Sequence, residues 1–330
     1  MIKYIIIDSG SSASRLMFYD VKKMNNAYET SEIFRINSFF LRFINKIHMS
    51  GKLNSIVSLP FKSIWDRYYI TEITLKSPET EYIIIFTNVS VKKFRLGYLK
   101  KLESRTNVKL VLVAVDSFVD KNLSALRIRS QVKFDLVYSF DPKDCKKYNM
   151  LFTNSLYSRR ENIFPSKTSC DIFFIGRAKD RYNDLLEIAQ MAINAGLKIN
   201  FQILGVEKKS QITLPGITYL KKVKSYEEVL PMIMSTKCLL DLYQLGQTGL
   251  TMRAYEAIFY NKLLLTNNDY TSKLAYFNPN FMQIFKNINE IEFSFINQSS
   301  NVNYEYNDEY SPVHFLKQIE KDLLKKGKLQ

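Results

Sequence analysis

The sequence predicts an α/β protein of two Rossmann-like, doubly wound domains, followed by a C-terminal helix. Three observations carry that expectation. Strands alternate with helices along the chain, the signature of open parallel sheets. The strands are short bursts that are apolar on both faces, as strands covered by helices on two sides require. The periodicity breaks once, near Phe152–Ser169, where Ser, Asn, Arg and Pro gather, and a second alternating series then begins. The expected division is 1–160, 161–310 and a terminal helix in 311–330.

In the first half the strands fall at Tyr4–Ile7, Tyr82–Phe86, Lys109–Val115 and Phe134–Tyr138. Residues 34–47 have helical spacing, and 54–75 fit helix, strand or both. The second series opens with a strand at Asp171–Ile175 and a helix over Asp180–Ala195. Asp180 is placed to cap that helix, and Gly196 to close it in the left-handed conformation. A strand at Ile199–Leu204 and a short helix at Tyr226–Met234 follow. Then comes the most telling unit, Cys238–Asn268: a strand to Leu242, a polar Gly-bearing loop (Gln244–Gly249), a helix from Leu250, and a strand at Leu263–Thr266. Asn261 stops the helix where glycine is more usual. The last helix, Val313–Lys326, carries Phe315, Leu316, Ile319 and Leu323 on one side.

At 330 residues and 46% hydrophobic content the chain can fill two cores. Its three cysteines lie far apart, which fits a reducing compartment and argues against zinc and structural disulfides. Two histidines exclude a histidine-rich metal centre. No stretch approaches the ~20 apolar residues a membrane-spanning helix needs, and the N-terminus lacks the pattern of a signal peptide. The expected location is cytoplasmic. The net charge of +15 favours an anionic partner: nucleic acid, the inner membrane face or a phosphorylated substrate. It also fits the Lys-rich composition of low-GC genomes. No RNP-like, zinc-finger or helix-turn-helix signature accompanies the charge, so nucleic acid is not the expected partner.

Two loops have the chemistry of an anion site. Gly176 after the first strand of the second series lets backbone approach a phosphate, with Arg177 and Lys179 placed to neutralise it. The helix starting at Leu250 offers unpaired N–H groups and a positive dipole end. Thr251, Arg253 and Glu256 lie in its first turns, so an arginine can grip a phosphate and a carboxylate can accept from sugar hydroxyls. In the first half, Asp8, Asp116 and Asp141 end strands. Asp116 is the candidate general base, and the small-residue loop Asp8, Ser9, Gly10, Ser11 is the candidate acceptor site. It is neither a Walker loop nor a dinucleotide fingerprint.

The second half resembles the donor domain of GT-B glycosyltransferases. The resemblance rests on DIFFIGR (Asp171–Arg177), VKSYEEVL (Val223–Leu230) and GLTMRAYEA (Gly249–Ala257), in order and spacing over 135–300. It is nearest the bacterial transferases that build capsular and other surface polysaccharides, and it implies that the terminal helix crosses back onto the first domain. The resemblance implies that Glu256 holds the donor ribose and that Gln247, Thr248, Gly249, Thr251 and Arg253 hold the diphosphate of a nucleotide-diphosphate sugar. Many retaining members carry an acid eight positions before that glutamate, where this chain has Thr248, so the stereochemistry stays open. The chain also lacks the Asp-x-Asp of GT-A enzymes, which implies a metal-independent hexosyltransferase with no cofactor beyond its donor substrate. The implied acceptor is a lipid-linked saccharide, with the protein peripheral on the anionic inner face of the plasma membrane. A basic nucleic-acid-binding protein and a catalytically silent GT-B scaffold are the alternatives.

Overall fold

The structure is a computed structural model that describes residues 1–11, 16–50, 53, 59–116, 118, 123–160, 163–165, 169–243, 250–298 and 301–329. Among these the chain forms two compact units, Met1–Ser158 with Tyr310–Gln330, and Arg159–Glu309.

The N-terminal unit holds a six-stranded sheet in the order β2-β1-β3-β4-β5-β6. Its strands are β1 (Ile2–Ile7), β2 (Ala27–Thr30), β3 (Glu81–Thr87), β4 (Val108–Val113), β5 (Leu136–Ser139) and β6 (Leu151–Phe152). Every neighbouring pair is parallel. Side chains alternate across a strand, so the isoleucine runs feed two cores at once. Ile5, Ile7, Ile84, Phe86, Leu110 and Leu112 pack on one face with the helix Leu96–Glu103. Tyr4, Ile6, Ile83, Ile85, Val111 and Val113 pack on the other, against Phe315, Leu316, Ile319 and Leu323 of the terminal helix Pro312–Lys325. That helix is also held by polar bonds: Tyr138 donates to Asp322 at 2.7 Å and Tyr4 donates to Glu320.

The C-terminal unit holds β7 (Cys170–Arg177), β8 (Ile199–Leu204), β9 (Ile217–Leu220), β10 (Thr236–Asp241), β11 (Leu263–Thr266) and β12 (Met282–Ile284). They pair in parallel in the order β12-β11-β10-β7-β8-β9. The chain thus lays β7, β8 and β9 to one side, then returns past β7 to lay β10, β11 and β12 to the other. This is the dinucleotide-fold order, and its reversal point lies between β7 and β10. One core is built from Phe174, Leu185, Ile188, Phe201, Leu240 and Leu265.

Several local expectations need correcting. Asp180 does not cap the helix after β7. A 3₁₀ turn over Lys179–Arg181 comes first, and the helix runs Tyr182–Asn194 from Arg181, whose side chain makes no cap bond. The helix expected from Leu250 begins at Met252 and ends at Phe259. Thr251 is its cap: the hydroxyl accepts from the Arg253 N–H at 3.1 Å. Helical spacing over 34–47 yields a helix only at Phe39–His48. The ambiguous 54–75 region contains a 3₁₀ segment, Lys62–Tyr68, and a short helix, Ile70–Thr74. Gly196 and Asn261 both adopt positive φ, +76° and +49°.

Candidate functional site

Charge collects at the carboxyl ends of β7 and β10, the reversal point where open α/β sheets leave a crevice. β10 ends in Asp241, an acid inside an otherwise apolar strand, and its side chain is buried. The Thr266 hydroxyl, one strand over, donates to it at 3.2 Å, and the Thr251 hydroxyl bonds it as well. Burial pushes the Asp241 carboxyl above the usual carboxylate range, opposed by those hydroxyls and by the Arg253 and Arg181 guanidiniums.

Arg181 stitches the two strand ends together. Its guanidinium donates to the Arg177 carbonyl at 2.6 Å and to the Leu242 carbonyl, and it stacks 5.7 Å from the Phe174 ring centre. Burial lowers its pKa, and Asp241 opposes the shift. Gly176 lies beneath this group. A Cβ there would meet the Phe174 ring at 3.1 Å and an Arg181 nitrogen at 3.6 Å. The glycine therefore leaves room for the Phe174 ring, on which Arg181 stacks.

The helix Met252–Phe259 supplies the rest. Arg253 is ion-paired with Glu256 one turn on, and its guanidinium lies 5.7 Å from the Phe173 ring centre. Glu256 is 1% exposed. Burial raises its pKa, while Arg253 and the Tyr226 hydroxyl pull it back. The Tyr226 hydroxyl is raised by the same burial. Tyr260 extends the network: its hydroxyl accepts from the Arg160 N–H at 3.2 Å. Two buried acids and two half-buried arginines thus share one end of the sheet.

The structure brings Gly176, Thr251, Arg253 and Glu256 to this end of the C-terminal unit. Arg177 and Lys179 sit on its exposed rim, Lys179 in the left-handed region at φ +48°. Gln247, Thr248 and Gly249 lie outside the described residues. The Thr251 hydroxyl is turned inward, toward Asp241 and the Arg253 N–H, so it serves the helix start. In the N-terminal unit the Asp8 carboxylate accepts from the Gly10 N–H at 3.0 Å and is buried. Ser9 and Ser11 bond each other through their hydroxyls at 3.0 Å. Asp116 is exposed just past β4, with its carbonyl accepting from Asn88. Asp141 caps the helix Pro142–Tyr148 through the Lys143 N–H. Sequence reasoning passed over Arg181, Asp241, Tyr226 and Tyr260. The one visible signal was Asp241, a charge within an apolar strand.

Among the described residues no group of three His, Cys, Asp or Glu side chains gathers to hold a metal ion. No helix among them is long and apolar enough to cross a membrane.

No protein-family model matches the chain, and no curated protein matches it in sequence. Solved structures do match in fold. The Gap123 glycosylation-associated protein complex from Streptococcus agalactiae aligns at TM-score 0.52 and 10% identity, over 83% of this chain and 61% of that one. The chain thus spans about three fifths of that relative. Apo OtsA aligns at 0.53 and 10% identity over 98% of both chains. A UDP-forming trehalose-phosphate synthase from Burkholderia xenovorans aligns at 0.53 and 9% identity, over 98% of this chain and 99% of that one. At such identities the likeness concerns the fold, and the fold of this chain is that of the GT-B glycosyltransferases.

Proposed function

We propose that the protein is a glycosyltransferase that moves a hexosyl group from a nucleotide-diphosphate donor to a saccharide acceptor. The observation that carries this reading is the gathering of two buried acids, Asp241 and Glu256, with two half-buried arginines, Arg181 and Arg253, at the β7–β10 reversal point. Buried ion pairs add little net stability, since desolvation offsets their attraction. A cluster of them at a ligand-binding end of the sheet marks a functional site.

In this reading Arg253, with Arg177 and Lys179 on the rim, neutralises the diphosphate of the donor. The start of the Met252–Phe259 helix adds its dipole. Glu256 accepts from the ribose hydroxyls once Arg253 turns from it to phosphate. Gln247, Thr248 and Gly249 close the loop over the donor, and Thr251 holds the helix start that faces it. As the glycosidic bond to the donor breaks, these cations stabilise the departing nucleoside diphosphate without a metal ion. The N-terminal unit receives the acceptor, with Asp8, Ser9, Gly10 and Ser11 near its polar end and Asp116 taking the acceptor hydroxyl proton. The acceptor is a lipid-linked saccharide of surface-polysaccharide assembly, and the enzyme works against the anionic inner membrane face. The likeness to a UDP-forming synthase supports a nucleoside diphosphate as the product class.

Calorimetric titration with UDP and GDP, followed by a donor-hydrolysis assay, tests the reading. Saturable binding that weakens in Arg177→Ala and Lys179→Ala, with the fold intact, is expected. Binding of neither nucleotide contradicts it. Nucleotide binding with no transfer or hydrolysis above background would instead favour the silent scaffold. Asp116→Asn is expected to lower kcat by roughly 10²-fold or more while leaving nucleotide binding unchanged.

A further inference from the structure

The helix Phe39–His48 in the N-terminal unit is inside out. A surface helix of a globular protein turns its apolar stripe toward the core. Here the buried side chain is Asn45. Phe39, Phe40 and Phe43 are 80%, 68% and 55% exposed, and Ile47 is also exposed. At 3.6 residues per turn these four positions fall within an arc of about 100°. Arg42 and Lys46 run along one border of that arc, and FFLRFINKIH contains no acid.

The neighbouring segment extends the same patch. The His48 ring bonds the Pro60 carbonyl at 2.7 Å and accepts from the Trp65 indole N–H at 2.9 Å. These two bonds pin residues 60–65 to the end of the helix, and that segment exposes Phe61 and Ile64. Beginning at Met49, directly past the helix, a pocket of about 530 Å³ has Phe34 on its wall and four cations, Lys62, Lys92, Lys93 and Arg95, around it. Exposed aromatic side chains ringed by lysine and arginine match one surface in particular. An anionic bilayer offers an apolar layer beneath a negatively charged one.

We propose that the Phe39–His48 helix lies in the interface of an anionic phospholipid bilayer. Phe39, Phe40 and Phe43 enter the boundary between headgroups and acyl chains, and the basic pocket takes lipid phosphate. This deepens the membrane element of the proposed function by naming the surface that makes the contact. It rests on residues of the N-terminal unit alone.

Co-sedimentation of the full chain with vesicles tests it. The protein is expected to pellet with phosphatidylglycerol-containing vesicles, less with pure phosphatidylcholine, and less as salt rises. The Phe39→Ser/Phe40→Ser/Phe43→Ser variant is expected to lose partitioning by at least roughly tenfold. Arg42→Glu/Lys46→Glu is expected to lose it selectively for the anionic vesicles. These side chains are exposed, so folding is checked by circular dichroism and by UDP or GDP titration, which the variants leave unchanged. Equal pelleting of wild type and variants overturns the proposal. So does a dimer seen by sedimentation velocity that the triple variant dissolves while wild type ignores vesicles, because the face is then a contact between copies. Failure to bind vesicles with nucleotide binding intact removes this proposal and leaves the donor site standing. Vesicle binding without nucleotide binding does the reverse.

Discussion

The two sheets reverse their strand order in the same manner but furnish the reversal point differently. Between β1 and β3 the strand ends are joined by a hydroxyl, beside one buried acid, Asp8, held by backbone. The Ser90 hydroxyl donates to the Ile7 carbonyl at 2.7 Å, and one strand over Asn88 ties the end of β3 to the Val115 N–H and the Asp116 carbonyl past β4. Between β7 and β10 the joining group is a guanidinium, Arg181, backed by Asp241, Arg253 and Glu256. Charge buried there is costly. Under the proposed function, that difference fits a C-terminal crevice that takes an ionic ligand and an N-terminal one that holds its loops.

The comparison can be broken most directly by removing one hydrogen-bonded side chain from the strand ends of each unit. Glu256→Ala removes the buried carboxylate that pairs with the half-buried Arg253, and is expected to destabilise the C-terminal unit by about 3 kcal/mol. Asn88→Ala strands backbone groups in the N-terminal unit, at about 1–3 kcal/mol. Urea unfolding read separately for each unit checks the order; a larger loss from Asn88→Ala contradicts it.

Acidity separates the units next. Burial raises the Asp241 and Glu256 carboxyls in the folded state. Their contribution is therefore present below the ordinary carboxylate pKa and is lost as pH rises through the raised values. Glu72 in the N-terminal unit is opposite. Burial would raise it, but Lys101 and Arg105, at 3.2 and 2.7 Å, overcome burial and hold it low. Its contribution is present above the ordinary carboxylate pKa and is lost as pH falls through the lowered one. Acidification toward the carboxylate range should thus strengthen the C-terminal unit relative to the N-terminal one, and Glu72→Gln should flatten the acid-side loss. Two transitions that shift in parallel with pH, in wild type and variant alike, contradict this.

Smaller effects sharpen the picture. Tyr226→Phe removes the hydroxyl facing Glu256 and is expected to cost the C-terminal unit about 1 kcal/mol. Lys179→Gly relieves a left-handed lysine at φ +48° and is expected to stabilise by up to roughly 1 kcal/mol while weakening nucleotide binding. Thermal unfolding with and without UDP separates the two effects.

The interior of both sheets was legible in the sequence and the edges were not. β1, β3, β4, β5, β7, β8, β10 and β11 all stand as apolar bursts, because helices cover them on both faces. The strands that sequence reading passed over, β2, β6, β9 and β12, are the four sheet edges. They are two to four residues long and partly exposed, so AYET, LF, ITYL and MQI carry no run to detect. At the candidate site, Arg253 and Glu256 were legible from helical spacing and resemblance. Arg181 was not, because whether Arg177, Lys179 or Arg181 turns inward depends on the 3₁₀ turn that re-aims them. Tyr226 sits on a helix 30 residues before Glu256, so only tertiary packing brings the two together.

The central claim is that the β7–β10 crevice binds a nucleoside diphosphate. Isothermal titration of UDP and GDP into wild type and Arg253→Lys, which keeps the charge but loses the two-pronged grip on phosphate, tests it most directly. The account predicts saturable binding of one nucleotide to wild type, weakened at least roughly tenfold in the variant, with urea unfolding showing the C-terminal unit still folded. Absence of binding to wild type, or equal affinity in both proteins, contradicts it.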